Sequence, residues 1–212
     1  MREIVILGGG GHSKVLIETI LACHKNISIA LLDDKFTIDK SLDVLGCPII
    51  GRLEKIYEFD FKRKYNNAVV AIGKSDLRMK WINILLNNNY RVPSFVHPTA
   101  YISPSSSIKS GTVIFPKAVV QSNVNLGKGV ILNSNSVIEH DGSVGDGSHI
   151  CPSVSIAGNV NIGNLSFIGI GSSVKEGISI GNNVVVGAGS VVVNSIDDNK
   201  LVFGVPAKIK SK

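Results

Sequence analysis

The sequence predicts two domains: a small α/β unit over residues 1–95, then a parallel β-helix over residues 96–212 that ends in a short tail. Three observations predict this. From Val96 to Val192 every sixth residue is Ile, Leu or Val, seventeen positions in a row without a slip. Four places after these positions stand small or β-branched residues such as Ala100, Thr112, Ala118, Val124, Ser136, Ser148, Val160 and Ser190. Before Val96, short apolar runs, glycine turns and helical stripes alternate in the manner of βαβ units.

In chain order, Ile4–Leu7 reads as a buried strand and Gly8-Gly9-Gly10-Gly11-His12-Ser13 as the turn after it. Apolar residues then recur at Val15, Leu16, Thr19, Ile20 and Cys23 at helical spacing. Residues Ile27–Leu32 form a second strand ending in Asp33-Asp34, and a loop with Gly46-Cys47-Pro48 leads to a short helix near Leu53–Tyr57. Residues Ala68–Ile72 form a third strand closed by Gly73-Lys74-Ser75, Lys80–Leu86 lies in a further helix, and Asn87-Asn88-Asn89 ends it. Such strand–turn–helix–strand units build parallel, Rossmann-like sheets. His24 is expected at a helix end, and Pro93 with His97-Pro98 marks the junction.

A period of six fits neither a helix nor a solitary alternating strand; it is the period of a hexapeptide β-helix. Each hexad supplies a short strand and a corner, and three hexads close one triangular coil of about eighteen residues. The aliphatic residue points inward and stacks on its copies, while the small residue fits beside the corner. One coil cannot bury its own apolar side, so stability comes from the stack, at roughly 1.5–3 kcal/mol per buried Val, Leu or Ile. Gly127, Gly145, Gly163, Gly181 and Gly187 each follow an aliphatic position, where a Cβ would crowd the backbone.

Two stretches carry candidate chemistry. The glycine turn lies between a strand and a helix, where backbone N–H groups suit a phosphate. Gly8 and Gly10 begin a G-x-G-x-x-G pattern, but Ser13 stands at its last position, so the dinucleotide fingerprint is incomplete. Asp33 and Asp34, ending the second strand, suit sugar hydroxyls. A domain of 95 residues is too short for a two-half dinucleotide fold, which argues against a redox cofactor. The second stretch is Ile138-Glu139-His140-Asp141, with His140 at a coil corner. An imidazole takes a proton near pH 7, and a neighbouring carboxylate fixes its tautomer. On its own, such a pair is equally a solvated surface feature, as is His149 nine residues on.

Composition limits the rest. Charged residues are 18% of the chain, the net charge is +6 and no basic run suggests nucleic-acid binding. No apolar run approaches a membrane span. The start Met1-Arg2-Glu3 enters a strand and lacks the apolar region of a signal peptide. Cys23, Cys47 and Cys151 are odd in number and lack metal-ligand spacing, as expected of thiols in a reducing cytoplasm.

The chain resembles the bacterial left-handed β-helix sugar acyltransferases (the sialic acid O-acetyltransferase-like group), and most closely those that N-acetylate nucleotide-linked 4-amino-4,6-dideoxy sugars of the bacillosamine, viosamine and perosamine type. The residues carrying the resemblance are Gly9-Gly10-Gly11-His12-Ser13, Leu31-Leu32-Asp33-Asp34, Ala71-Ile72-Gly73, Val96-His97-Pro98, Asn133 to Asp141 and Gly204-Val205-Pro206-Ala207-Lys208. The resemblance implies a left-handed coil, a homotrimer with active sites between subunits, acetyl-CoA as co-substrate and no required metal. It implies His140 as general base and Asp141 as its acidic partner, where Glu is the commoner residue. His149 would lie at the thioester, and Gly158 would polarise the thioester carbonyl through its N–H. Ile170 and Ala188, the latter where glycine is common, would line the pantetheine groove. Gly11, His12, Ser13, Asp33, Asp34 and Gly73 would surround the nucleotide and sugar.

Other readings stay open on sequence alone. A sialic acid or other sugar O-acetyltransferase shares the scaffold and the histidine. A γ-type carbonic anhydrase needs three zinc-binding histidines, whereas His140 and His149 lie nine residues apart with no third in the following coils. A non-catalytic β-helix that binds nucleotide sugars is the alternative outside enzymes. No glycine-arginine motif of a nucleotidyltransferase precedes the hexads.

Overall fold

The computed structural model describes residues 2–37 and 42–210, and the chain divides into two compact units, Met1–Phe95 and Val96–Lys212. In the first unit the elements are β1 (Glu3–Leu7), α1 (Gly11–Cys23), β2 (Ser28–Leu32), β3 (Asp43–Val44), β4 (Cys47–Pro48), a 3-10 turn at Leu53–Tyr57, α2 (Phe59–Lys64), β5 (Ala68–Val70) and α3 (Ser75–Asn87). Three of the strands pair in parallel in the order β2-β1-β5. Ile4, Val5, Ile6 and Leu7 are all buried, as a strand enclosed on both faces requires. From α1, Leu16, Ile17 and Ile20 pack inward, and from α3, Met79, Trp81, Ile82 and Leu85 do. The chain crosses from β2 on one side of β1 to β5 on the other. The carboxyl end of β1 is therefore the switch point at which open α/β sheets take their ligands.

Several bounds differ from expectation. Strand β5 stops at Val70 rather than Ile72, α3 contains Lys80–Leu86 as expected but already begins at Ser75, expected in the turn, and α1 starts directly at Gly11. The hairpin β3–β4 and the six-residue α2 were not foreseen. Leu45 and Gly46 both take positive φ, 53° and 75°, as a two-residue type I′ turn demands. His24 does close α1, its N–H donating to Ile20 O at 2.8 Å.

The second unit is a left-handed parallel β-helix. Its strands stack in three flat faces with partners eighteen residues apart, as in Val119↔Val137, Asn125↔Ser143 and Ile131↔His149, until the last coil, where Val185 pairs with Leu201 and Ile180 with Ile196, sixteen residues on. Face one runs from Tyr101–Ile102 to Val191–Val192 and face two from Ser107–Ile108 to Ser179–Ile180. Face three includes Val113–Ile114, Ile131–Leu132, His149–Ile150, Phe167–Ile168 and Val185–Val186, then Leu201–Phe203 and the antiparallel Lys208–Ile209. The six-residue column fills the interior from Ile114 onward, while Val96, Ile102 and Ile108 at the open end are only partly covered.

The small residues beside the corners do more than fit. The hydroxyls of Thr112, Ser148, Ser166 and Ser172 are buried, and each donates to a carbonyl fifteen residues on, at 2.7–2.9 Å. Each also accepts an N–H from the coil above, at 2.9–3.3 Å, so no polar cost remains in the core. The glycine column is sterically enforced: a Cβ on Gly145 would stand 2.6 Å from Asn164 N and Gly163 C. At one edge Asn123, Asp141, Asn159 and Gly177 all take positive φ, the left-handed state that Asn, Asp and Gly accept most readily.

Candidate active site

The corner between faces one and two carries His140 and Asp141. His140 follows the strand Val137–Ile138 at the turn, and the eighteen-residue register puts it directly over Gly158. A Cβ on Gly158 would come 2.6 Å from His140 Cε1 and 2.7 Å from Nε2. Only glycine lets the ring lie there. Nδ1 is 2.9 Å from Asp141 Oδ2. A carboxylate only accepts hydrogen bonds, so Nδ1 carries the proton and Nε2 is left with its lone pair. The Asp141 carboxyl is held below the usual range, first by the His140 hydrogen bond and then by Asn123 Nδ2, 3.1 Å from Oδ1. Both side chains of the pair are about half exposed, 55% and 47%. Among the described residues, nothing accepts from Gly158 N–H.

The remaining residues expected at the thioester and pantetheine lie elsewhere on the prism. His149 points outward from face three, edge-on to Phe167 at 5.2 Å between ring centres, with Asn133 Nδ2 3.3 Å from Nε2. Ile170 and Ala188 stand exposed at the corner between faces three and one. Face three is opposite the His140 corner across a triangle whose six-residue sides place them roughly 15 Å apart. One chain alone therefore does not bring His140 and His149 to the same small molecule. Cys151 is buried, and burial pushes its thiol up to about 11, which rules it out as a ready nucleophile at neutral pH. Within one chain, no group of three or more His, Cys, Asp or Glu among the described residues is placed to hold a metal. No helix among them is long and apolar enough to cross a membrane.

In the first unit the order β2-β1-β5 gathers the expected substrate residues at one sheet edge. Asp33, ending β2, accepts the Gly9 N–H through Oδ2 at 2.6 Å and the Lys35 N–H through Oδ1 at 2.9 Å. Asp34 Oδ1 accepts the Leu53 N–H at 3.3 Å. The Asp33 carboxylate thus closes the glycine turn and keeps further lone pairs for a ligand. Gly11 opens α1, and Ser13, buried in its first turn, donates its hydroxyl to Gly10 O at 2.6 Å. His12 is lowered from 6.5 to about 4, chiefly by burial and secondarily by Arg78, so it is neutral at pH 7. Gly73, after β5, is exposed, and its carbonyl takes a hydrogen bond from Arg78 at 2.7 Å.

Sequence reasoning missed Arg78, Asn123 and Asn133. The signal for Asn123 was present: it stands eighteen residues before Asp141, one coil below, just as Gly158 stands eighteen after His140. Arg78 had no such signal, because a charged residue on a helix is ordinarily read as solvent-facing.

The family model described as the PglD N-terminal domain matches residues 3–85. PerB from Caulobacter crescentus, solved in complex with CoA and GDP-perosamine, is 33% identical with a TM-score of 0.91; the match covers 100% of this chain and 98% of that one. Variants of that protein with one histidine changed to Asn or Ala were solved with the same two ligands. The acetyltransferase domain of PglB from Neisseria gonorrhoeae FA1090, in complex with acetyl coenzyme A, is 33% identical with a TM-score of 0.93, covering 99% of each chain. A UDP-N-acetylbacillosamine N-acetyltransferase of Bacillus subtilis (strain 168) is 33% identical over 114 residues, 54% of this chain; the match spans about half of that relative, 51%.

Proposed function

The chain belongs to the family of bacillosamine- and perosamine-type sugar N-acetyltransferases, and from that premise we propose that it moves the acetyl group of acetyl-CoA onto the C4 amine of a nucleotide-linked 4-amino-4,6-dideoxy sugar. The observation that carries the reading is the His140–Asp141 pair lying over Gly158, with Nε2 left as the accepting nitrogen.

In this reading the neutral sugar amine attacks the thioester carbonyl carbon. The new C–N bond forms, His140 Nε2 takes the proton the amine loses, and the C–S bond breaks to release coenzyme A as thiol or thiolate. A base is needed because the attacking nitrogen becomes cationic as the C–N bond forms and must shed a proton to leave the neutral amide. Asp141 holds the ring in the accepting tautomer and stabilises the imidazolium. The Gly158 N–H faces the oxygen that gains charge. The first unit holds the nucleotide sugar at Gly11, His12, Ser13, Asp33, Asp34 and Gly73. His149, Ile170 and Ala188 meet acetyl-CoA from a neighbouring copy, since His140 and His149 face opposite ways on one prism. The resemblance to left-handed β-helix sugar acyltransferases supports a homotrimer as the active molecule.

The test is thiol release from acetyl-CoA by the purified protein against UDP-, dTDP- and GDP-linked 4-amino sugars, with His140→Ala in parallel. We expect one nucleotide sugar to be acetylated and kcat of the variant to fall about 10²–10⁴-fold, the range for a lost general base. No release with any of these acceptors, or near-normal turnover by His140→Ala, overturns the reading. A monomer in sedimentation at assay concentration overturns the trimer.

A further inference from the structure

Arg78 is among the largest fully buried side chains, 1% exposed on the inner side of α3, and acetyl transfer gives no reason for a guanidinium there. Burial lowers it only to about 10, so it remains a cation at neutral pH. Its Nη1 donates to two successive carbonyls, Ile72 O at 3.0 Å and Gly73 O at 2.7 Å, and Nη2 donates to Ser75 Oγ at 3.3 Å. In a trans peptide unit the C=O and the following N–H point in opposite directions. Drawing these carbonyls onto Arg78 therefore turns the N–H groups of Gly73 and Lys74 away from it. Neither N–H has an acceptor among the described residues, and both residues are exposed.

The surroundings say what those donors face. The loop after β5 abuts the glycine turn after β1, for a Cβ on Gly8 would stand 3.0 Å from Ala71 O and 3.1 Å from Ile72 Cγ1. On the far side of that turn the Gly9 N–H is already held by Asp33 at 2.6 Å. The glycine turn is thus short of one donor at the switch point, and the loop after β5 offers two. Successive backbone N–H groups form concavities suited to anions.

We propose that Arg78 is a positioning residue of the nucleotide-sugar site: by holding two carbonyls inward it presents the Gly73 and Lys74 N–H groups to the substrate's diphosphate. This rests on the nucleotide-sugar reading above. The planar fork of arginine reaches both carbonyls and Ser75 at once, whereas a lysine ammonium is a single point on a flexible stem. The residue acts without touching substrate.

The test compares wild type, Arg78→Met and Arg78→Lys, by steady-state kinetics with the accepted nucleotide sugar and acetyl-CoA and by calorimetric binding of free UDP, dTDP and GDP. For Arg78→Met, the sugar-nucleotide KM and the nucleoside diphosphate Kd should rise roughly tenfold or more, the scale of a lost charge-assisted bond. The acetyl-CoA KM and kcat should stay within about threefold, and Arg78→Lys should fall between the two. A purely structural role would instead lower the active fraction, reducing kcat at unchanged KM, and that result overturns the proposal. So does an equal rise in both KM values. If Arg78→Met does not fold, Arg78→Lys decides on the same split. If wild type acetylates no sugar, the function reading has failed, and the nucleoside diphosphate Kd of Arg78→Lys against wild type still decides this one.

Discussion

Adding one methyl group to Gly158 should disable the site without unfolding the protein. The Cβ of Gly158→Ala would stand 2.6 Å from His140 Cε1, 2.7 Å from Nε2 and 3.2 Å from Cδ2, where ordinary contact begins at 3.4 Å. The imidazole must retreat by about 0.8 Å or more to relieve this. Gly158 does not take a positive φ, so alanine brings no backbone strain. The ring that must move is 55% exposed and swings into open space. The cost to stability should therefore be small, about 0.5 kcal/mol as for other surface-type changes. The cost to catalysis should be large, because a misplacement of about 1 Å at a reacting group is worth about 10²-fold in rate. Initial rates of thiol release should show kcat down about 10²-fold, with the melting temperature within a degree or two. Combining Gly158→Ala with His140→Ala should then add little, since both act through one imidazole. Wild-type kcat in the single variant, or additive losses in the double, would refute the placement of His140 over Gly158 as the working geometry.

Asp141→Asn removes the carboxylate charge and places an NH2 donor where Nδ1 now meets only acceptors, so the His140 tautomer is no longer fixed; kcat should fall roughly tenfold or more, with both KM values little changed, and an unaffected kcat would mean that Asp141 is only a corner residue. Gly145→Ala meets main-chain atoms of the next coil at 2.6 Å, which cannot swing aside, so it should destabilise the β-helix by about 1–3 kcal/mol; an unchanged thermal melt would show that the stack yields. His12 is depressed in the folded chain from 6.5 to about 4, so the unfolded chain binds its proton more readily. The stability this gives is whole above pH 6.5 and is lost as pH falls toward about 4, about 3 kcal/mol in all. Trp81, the single tryptophan, lies in α3 and reports on that unit, so the midpoint of urea titrations followed by its fluorescence should fall as pH is lowered from 6.5 toward about 4 in wild type and fall less in His12→Gln. An identical pH slope in both would reject that assignment.

How far the sequence could be read depended on whether a residue's environment repeats. The β-helix repeats, and its inward column, its corner hydroxyls and its glycine column all follow from spacing, down to the crowding at Gly145. The first unit does not repeat. The strands β3 and β4 are two residues each and α2 is six, too short for any period to show. Adjacency in sequence made the His140–Asp141 pair legible, and the coil register, applied once more, would have yielded Gly158 and Asn123 as its neighbours. Asp33 was legible as an acid at a strand end, but its bond to the Gly9 N–H depends on how β2 lies beside β1. Arg78 was hidden for a different reason: only the fold reveals that it turns inward, onto two carbonyls of the loop after β5 and the Ser75 hydroxyl.

The hydroxyl, aliphatic and glycine columns share one ruler, and that restricts how such a chain can change length. Deleting a single residue after Ile138 would rotate each later side chain by one station, sending Val144 and Ile150 toward water and Gly145 off the edge that needs it. The buried serines would lose donor and acceptor together. A change of length between Val96 and Val192 that keeps all three columns in place is therefore a whole turn of eighteen, and any other length must be taken up as a loop at a corner.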